Sequence, residues 1–213
     1  MNQPSKLKIW GRMSSINVKK VVWAAQELGI DFERLEAGGL FGVVKTPAYI
    51  ALNPNAQIPV LQDGDYVLWE SNVMTRYLCA TYSNTGCSLY PADLAQRFDA
   101  ERWMEWQQTT VNPASRNGFW HLIRLPASER VPALIAQSNA AVEPLMALLD
   151  AHLAQRRFVA GDAFSMADIP LGCEIHRWFG LPQPRQARTH IERWFAELCA
   201  RPAAKGVLDM ALS

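Results

Sequence analysis

The sequence predicts two joined domains of different class: an α/β domain with mixed parallel and antiparallel strands over residues 1–83, and an all-α domain over residues 92–213. Three observations carry this. Strand and helix signals alternate along the first domain. Asn84 to Pro91 is rich in turn formers and reads as a linker over residues 84–91. Beyond it the strand signals vanish and only helical periodicity remains.

Lys6 to Trp10 alternates apolar and polar residues, as a strand does. A polar turn, Gly11 to Ser15, follows. Val18, Val21, Val22, Ala25 and Leu28 recur at helical spacing, and Gly29 is the expected helix stop. Phe32 to Leu35 is a short second strand, Ala37 to Thr46 a glycine-bearing loop, and Pro47 to Leu52 a short helix. Ile58–Leu61 and Tyr66–Trp69 flank Asp63-Gly64, a strong hairpin signal. Ser71 opens a helix to about Thr81. The order β-α-β, then β-β-α, is that of a thioredoxin-like layered sandwich. In the second domain Ala92–Val111, Glu129–Arg156, Met166–Phe179 and Thr189–Ala200 read as helices. Prolines mark the breaks between them. Pro144 falls inside the Glu129–Arg156 segment and is expected to kink or split it.

Composition excludes several function classes. Of 213 residues, 49% are apolar and 19% charged, which is ordinary for a globular chain. The net charge of +1 leaves no electrostatic footprint for nucleic acid. No run of about 18 apolar residues occurs, so no membrane span is expected, and no signal peptide is read at the N-terminus. Cys79, Cys87, Cys173 and Cys199 form no C-x-x-C pair, which reads as reduced thiols in a cytoplasm. His121, His152, His176 and His190 lack metal-ligand spacing, so no metal is expected. Gly38 to Gly42 lacks the lysine-serine ending of a phosphate loop, and no G-x-S-x-G elbow exists. Lys19-Lys20 reads as solvated helix surface, and Cys79 as a packed helix residue.

Four short stretches remain. In Ser14-Ser-Ile-Asn-Val-Lys-Lys-Val21, Ser15 is most simply a helix N-cap. Asn53-Pro-Asn-Ala-Gln-Ile-Pro-Val60 brings a proline to the start of a strand. Taken alone such a bond favours trans. A cis bond there turns the chain sharply and aims the Ile58 N–H and C=O outward, free to pair with a peptide. In Trp69-Glu-Ser-Asn72, Ser71 is again most simply a cap. Glu70 is harder to explain by packing. Its carboxylate suits a ligand ammonium, and the helix N–H groups with the Ser71 hydroxyl suit a ligand carboxylate, so that both ends of an amino-acid zwitterion are gripped. The fourth stretch, Gly161 to Asp168, contains Ser165-x-x-Asp168, a capping box with a structural role. Replacing Asp168 is expected to cost about 0.5–2 kcal/mol in stability.

In order and spacing these stretches closely resemble the cytosolic glutathione transferase family over nearly the whole chain. The serine with Asn17 two residues on resembles the theta-like and bacterial branches. No tyrosine stands in the first loop, no cysteine precedes Cys79, and the Ser-Ser-Cys run of the zeta-type isomerases is missing. The resemblance implies glutathione as co-substrate, lying extended along the first domain. Its γ-glutamyl end would sit on Glu70 and Ser71, and its cysteinyl backbone on Ile58, with Pro59 cis and Gln57 close by. Ser15 would face the sulfur, with Ser14 in reserve and Asn17 assisting.

The chemistry asks for a donor. A free thiol titrates near about 8.5, and the thiolate is the nucleophile. One hydrogen bond to a charged group contributes about 1.5–3 kcal/mol, and a helix N-terminus about 0.3–1. Together these lower the thiol pKa by roughly one to three units. A small hydrophobic electrophile is expected between the domains, met from the helical half by Trp106, Val111, Phe119, Trp120 and Arg124. Trp103 and Trp106 at helical spacing also read as core, and Asn117 to Arg124 as a mobile helix end. The resemblance further implies a homodimer, its first domain packed on the partner's Ala92 to Val111 region, and a detoxification role. Two alternatives stay open: glutathione-dependent disulfide or peroxide reduction, and a non-catalytic dimerising or ligand-holding module.

Overall fold

The computed structural model describes residues 7–83 and 89–213. Lys6, Cys87 and most of the expected linker lie outside the described residues. The chain divides into two compact units, Met1–Tyr90 and Pro91–Ser213.

The first unit holds a four-stranded sheet in the order β2-β1-β3-β4, with β1 Leu7–Trp10, β2 Phe32–Leu35, β3 Val60–Asp63 and β4 Tyr66–Trp69. The β1–β2 pair is parallel; β1–β3 and β3–β4 are antiparallel, as the element order predicts. The helices are α1 Ile16–Glu27, α2 Pro47–Leu52 and α3 Ser71–Tyr82. Leu7 and Ile9 face the core while Lys8 is exposed, which is the alternation read from the sequence. Gly29 stops α1 at a positive φ of 64°. The N–H of Ile30 reaches back to Ala25 O and that of Gly29 to Gln26 O, the reciprocal pair that ends many helices. The β3–β4 turn has Gly64 at φ 61°, and β3 runs two residues further than the expected Leu61.

Every residue of α1 from Val18 to Ala25 is buried. This corrects the reading of Lys19-Lys20 as solvated: Lys19 is 5% and Lys20 0% exposed. The side chain of Lys20 crosses to α3 and donates to Asn72 Oδ1 at 3.1 Å. A buried ammonium needs an acceptor, and the amide supplies one.

The second unit is helical, with α4 Leu94–Trp106, α5 Asn112–Phe119, α6 Pro132–Leu153, α7 Asp168–Gly180 and α8 Thr189–Cys199. Pro144 lies inside α6 and does not split it, which corrects one of the two outcomes expected of it. Ser138, Val142, Met146, Leu149 and Leu153 form one buried stripe on both sides of it, and burial of that stripe outweighs the roughly 3 kcal/mol cost of an interior proline. Residues 112–124, where a break was expected at Pro113, are helical throughout: α5 runs on into the π-helical Trp120–Arg124, which ends that helix. Pro113 sits in the first turn of α5, where its missing N–H costs nothing.

Asp168 anchors the second unit and is fully buried. Its Oδ1 accepts from Val159 N–H at 2.9 Å and from the Trp194 indole at 2.8 Å. Its Oδ2 accepts from the Ser165 N–H at 2.9 Å and hydroxyl at 3.3 Å. One half of the expected capping box is present, the Ser165 N–H on Asp168. The Ser165 hydroxyl accepts from Ala167 N–H at 3.3 Å instead of from Asp168 N–H, the N-cap residue is Ala167, and the Asp168 carboxylate reaches on to α8.

Candidate functional site

Sheet register brings three of the four sequence stretches together. Trp10 pairs with Val60, and Val60 with Trp69. The loop after Trp10, the segment before Val60 and the turn after Trp69 therefore leave the sheet at one end. The serine pair, Ile58-Pro59 and Glu70-Ser71 lie on those three segments.

The loop from β1 to α1 is tightly specified. Gly11 has φ 147°, and a Cβ on it would stand 2.4 Å from Val18 Cγ2 and 3.4 Å from Ile58 Cβ. Only glycine allows this approach. Gly11 and Arg12 donate to Leu35 O at 2.8 Å and Ala37 O at 3.2 Å, tying the loop to β2. Ser15 occupies the N-cap position, and its C=O accepts from Val18 and Lys19 N–H. Its hydroxyl makes no cap hydrogen bond, and no acidic residue stands in the first turn. The capping role that best accounted for Ser15 in the sequence is thus not performed by its side chain. Ser14 Oγ accepts from Arg12 Nη1 at 2.6 Å. Two buried polar atoms here have no partner, Arg12 Nε and Asn17 Oδ1. Orphaned buried polar atoms are rare and call for an explanation.

The Ile58–Pro59 bond is cis. Ile58 lies outside the β3 ladder, which starts at Val60. Its approach is held by Gln57, whose C=O accepts from Tyr49 OH at 2.9 Å and Asn53 Nδ2 at 2.9 Å. Asn53 is buried, and its Oδ1 accepts from Asn55 N–H at 3.0 Å. Burial pushes the Tyr49 phenol up to about 12, so it stays protonated and donates. The sequence singled out Asn53 without a role; its amide and Tyr49 clamp the residue ahead of Ile58.

At the start of α3 the N-cap residue is Glu70, not Ser71. Glu70 has φ 74° and ψ 107° and makes no side-chain cap bond. A left-handed non-glycine residue costs of order 1–3 kcal/mol and such residues cluster at ligand sites. Its side chain is exposed, and Ser71 beside it is 4% exposed. No sequence signal announces that backbone.

In the second unit, Trp106 and Trp103 meet edge-on at 5.2 Å; Trp103 is buried and Trp106 half-buried. Val111 is fully buried, Phe119 and Arg124 are half-buried, and Trp120 is exposed. Two π-helical stretches, Gln107–Val111 and Trp120–Arg124, carry three of these five residues, and the other two, Trp106 and Phe119, directly precede them. Such wide turns often occur at functional sites. The guanidinium of Arg177 lies 4.6 Å and that of Arg124 5.3 Å from the Phe119 ring centroid. Behind them is a buried cluster the sequence reading missed. Glu174 accepts from Gln107 at 2.9 Å and Ser115 at 2.5 Å, and pairs with Arg177 at 3.3 Å. Among the described residues no group of histidine, cysteine and carboxylate side chains could hold a metal, and no helix is long and apolar enough to cross a membrane.

Comparison with known proteins agrees with this geometry. Residues 5–80 match the model of the glutathione S-transferase N-terminal domain, and residues 132–197 that of its C-terminal domain. The chain is 37% identical to glutathione S-transferase GstB of Escherichia coli K12, over 97% of this chain and all of that protein. It is 35% identical to glutathione S-transferase 3 of Zea mays, over 92% of this chain and 90% of that one. The crystal structure of the theta class glutathione S-transferase of Xanthomonas axonopodis pv. citri with glutathione bound superposes with a TM-score of 0.94. It is 44% identical and covers 99% of this chain and all of that one.

Proposed function

The chain belongs to the glutathione S-transferase family, and from that premise we propose that it works by a serine-type mechanism in which Ser15 donates its hydroxyl proton to the sulfur of bound glutathione. The protein is an enzyme that transfers glutathione to an electrophile, with glutathione as co-substrate. One observation carries the serine assignment: Ser15 caps α1 by backbone alone, so its hydroxyl is not consumed by the helix. Ser14, by contrast, is already held by Arg12.

Glutathione then lies across the sheet end with its γ-glutamyl group at Glu70 and Ser71 and its cysteinyl backbone at Ile58, beside Gln57. Asn17, with its orphaned Oδ1, assists at the sulfur. The thiol proton leaves to water, and the α1 N-terminus, free of acidic residues, favours the anion that remains. The first domain, residues 1–83, is assigned glutathione, and the helical domain, residues 92–213, the hydrophobic electrophile. Trp106, Phe119, Trp120 and Arg124 offer it exposed or half-exposed surface, while Val111 is fully buried. A cytoplasmic homodimer with a detoxification role completes the reading. Exposed Leu94 and Phe98 on α4, and Trp69 and Val73 on the first unit, support the dimer. Light scattering should give twice the chain mass of 23.9 kDa.

Ser15→Ala tests the mechanism. The pKa of the bound thiol should rise by about one to two units, the equivalent of one hydrogen bond to a charged sulfur. Glutathione affinity should stay within a few-fold. An unchanged pH–rate profile rejects Ser15 as the donor.

A further inference from the structure

We propose that Arg12 is a positioning residue for thiolate formation, holding Ser14 in place and keeping a fixed positive charge in the loop that faces the sulfur. The inference rests on the serine-type reading and extends it to a residue that no motif in the sequence singles out.

Arg12 stands in the turn between β1 and the serine pair. Its backbone is pinned on both sides: its N–H donates to Ala37 O, and its C=O accepts from Ser15 N–H at 3.1 Å. The guanidinium is therefore tied to the same turn that sets Ser15. Its Nη1 donates to Ser14 Oγ at 2.6 Å, a short charge-assisted bond. A hydroxyl that accepts from a cation is polarised and fixed in orientation.

Room for this arrangement is made by a second glycine. Gly39 has φ 59°, and a Cβ there would stand 2.8 Å from Arg12 Nε and 3.1 Å from Cζ. The guanidinium occupies the space that a side chain at 39 would take. In that position its Nε is buried without a partner. Packing alone gives no reason to bury a donor in that way. A place in an anion-forming site does give one, because the charge acts over several ångströms without needing every N–H paired.

The neighbouring charges do not duplicate this role. Arg34 on β2 donates to Gly11 O at 3.0 Å and pairs with Glu36 at 2.5 Å. On α1, Lys20 reaches to Asn72, and Lys19 is buried. Glu36 is the acid next to this loop, and the Arg34 guanidinium holds its carboxyl below the usual range.

The division of labour follows. Arg12 engages Ser14, Ser15 is left to meet the sulfur, and the positive charge makes loss of the thiol proton to water easier. The half-buried position of Arg12 puts its effect at the low end for an opposite charge, about half a unit to one unit of thiol pKa.

The experiment uses the full chain with glutathione and measures the pKa of the bound thiol by its thiolate ultraviolet absorbance, beside calorimetric affinity. Arg12→Met keeps the aliphatic stem and removes the charge. It should raise the thiol pKa by about half a unit to one unit, with affinity within threefold, and Arg12→Lys should restore at least half of that shift. Gly39→Ala, which displaces the guanidinium from the other side, should raise the pKa in the same direction, and it serves if Arg12→Met does not fold. An unchanged pKa in the Arg12 and Gly39 variants, with Ser15→Ala still raising it, overturns the proposal and leaves the serine reading intact. An unchanged pKa in Ser15→Ala as well overturns both. Lost affinity at constant pKa in Arg12→Met also overturns it, since Arg12 is then a binding residue only.

Discussion

Asp168→Ala should destabilise the helical unit by about 2–4 kcal/mol at pH 7, more than an ordinary capping residue. The substitution leaves three fixed buried donors without acceptors, Val159 N–H, Ser165 N–H and the Trp194 indole; the fourth donor, the Ser165 hydroxyl, is free to rotate. Each orphaned group costs about 1–3 kcal/mol. A second effect opposes the first. Burial, held back by the hydrogen bonds from Val159, Ser165 and Trp194, raises the Asp168 carboxyl from its ordinary 3.8 to about 6. A folded-state pKa above the unfolded one means that the unfolded chain releases the proton first as pH rises. Stability from this group is therefore fully present below about pH 4 and is lost as pH climbs through 6. Two units correspond to about 3 kcal/mol, and the variant is spared that loss at neutral pH. The gap between wild type and Asp168→Ala should accordingly widen by up to about 3 kcal/mol on going from pH 7 toward pH 4. Urea unfolding followed by tryptophan fluorescence at the two pH values measures it. A gap below about 1 kcal/mol at pH 7, or one that narrows toward pH 4, refutes the reasoning. So does lost turnover at full stability, which would move Asp168 into the chemistry.

Glu70→Gly should separate stability from binding: release of the positive φ leaves the protein as stable or up to about 1 kcal/mol more stable. Glutathione affinity meanwhile falls about tenfold or more with the lost carboxylate. Calorimetry and urea titration read the two, and a parallel loss in both would show that Glu70 is structural. Gly11→Ala forces a Cβ against Val18 Cγ2 at 2.4 Å in a left-handed backbone. It should cost about 2–4 kcal/mol and raise the KM for glutathione through the displaced start of α1; an unshifted melting temperature contradicts this.

Much of this protein is legible without coordinates, because local signals agree with the fold. The β-α-β then β-β-α order, the Gly29 stop and the Asp63-Gly64 hairpin each reappear where the chain chemistry puts them. Elements whose fate depends on what packs against them are less legible. Lys20 looks like solvated surface in a sequence and is fully buried, because α3 presents the Asn72 amide to it. Pro144 looks like a break and is not, because a buried stripe runs past it on the same helix.

The site divides along the same line. Residue types and spacing along the chain determined which stretches are the candidates for the thiol chemistry, since a hydroxyl before a helix, a proline entering a strand and a carboxylate at a helix start are local facts. Strand register decided that Trp10, Val60 and Trp69 align, so that these stretches meet at one end of the sheet. Only tertiary packing could decide that Ser15 leaves its hydroxyl unused, that Arg12 takes Ser14 under Gly39, and that Glu70 adopts a left-handed backbone. Of these, the approach of Arg12 to Gly39 joins residues far apart in the chain, and propensity at a single position carries no information about any of the three.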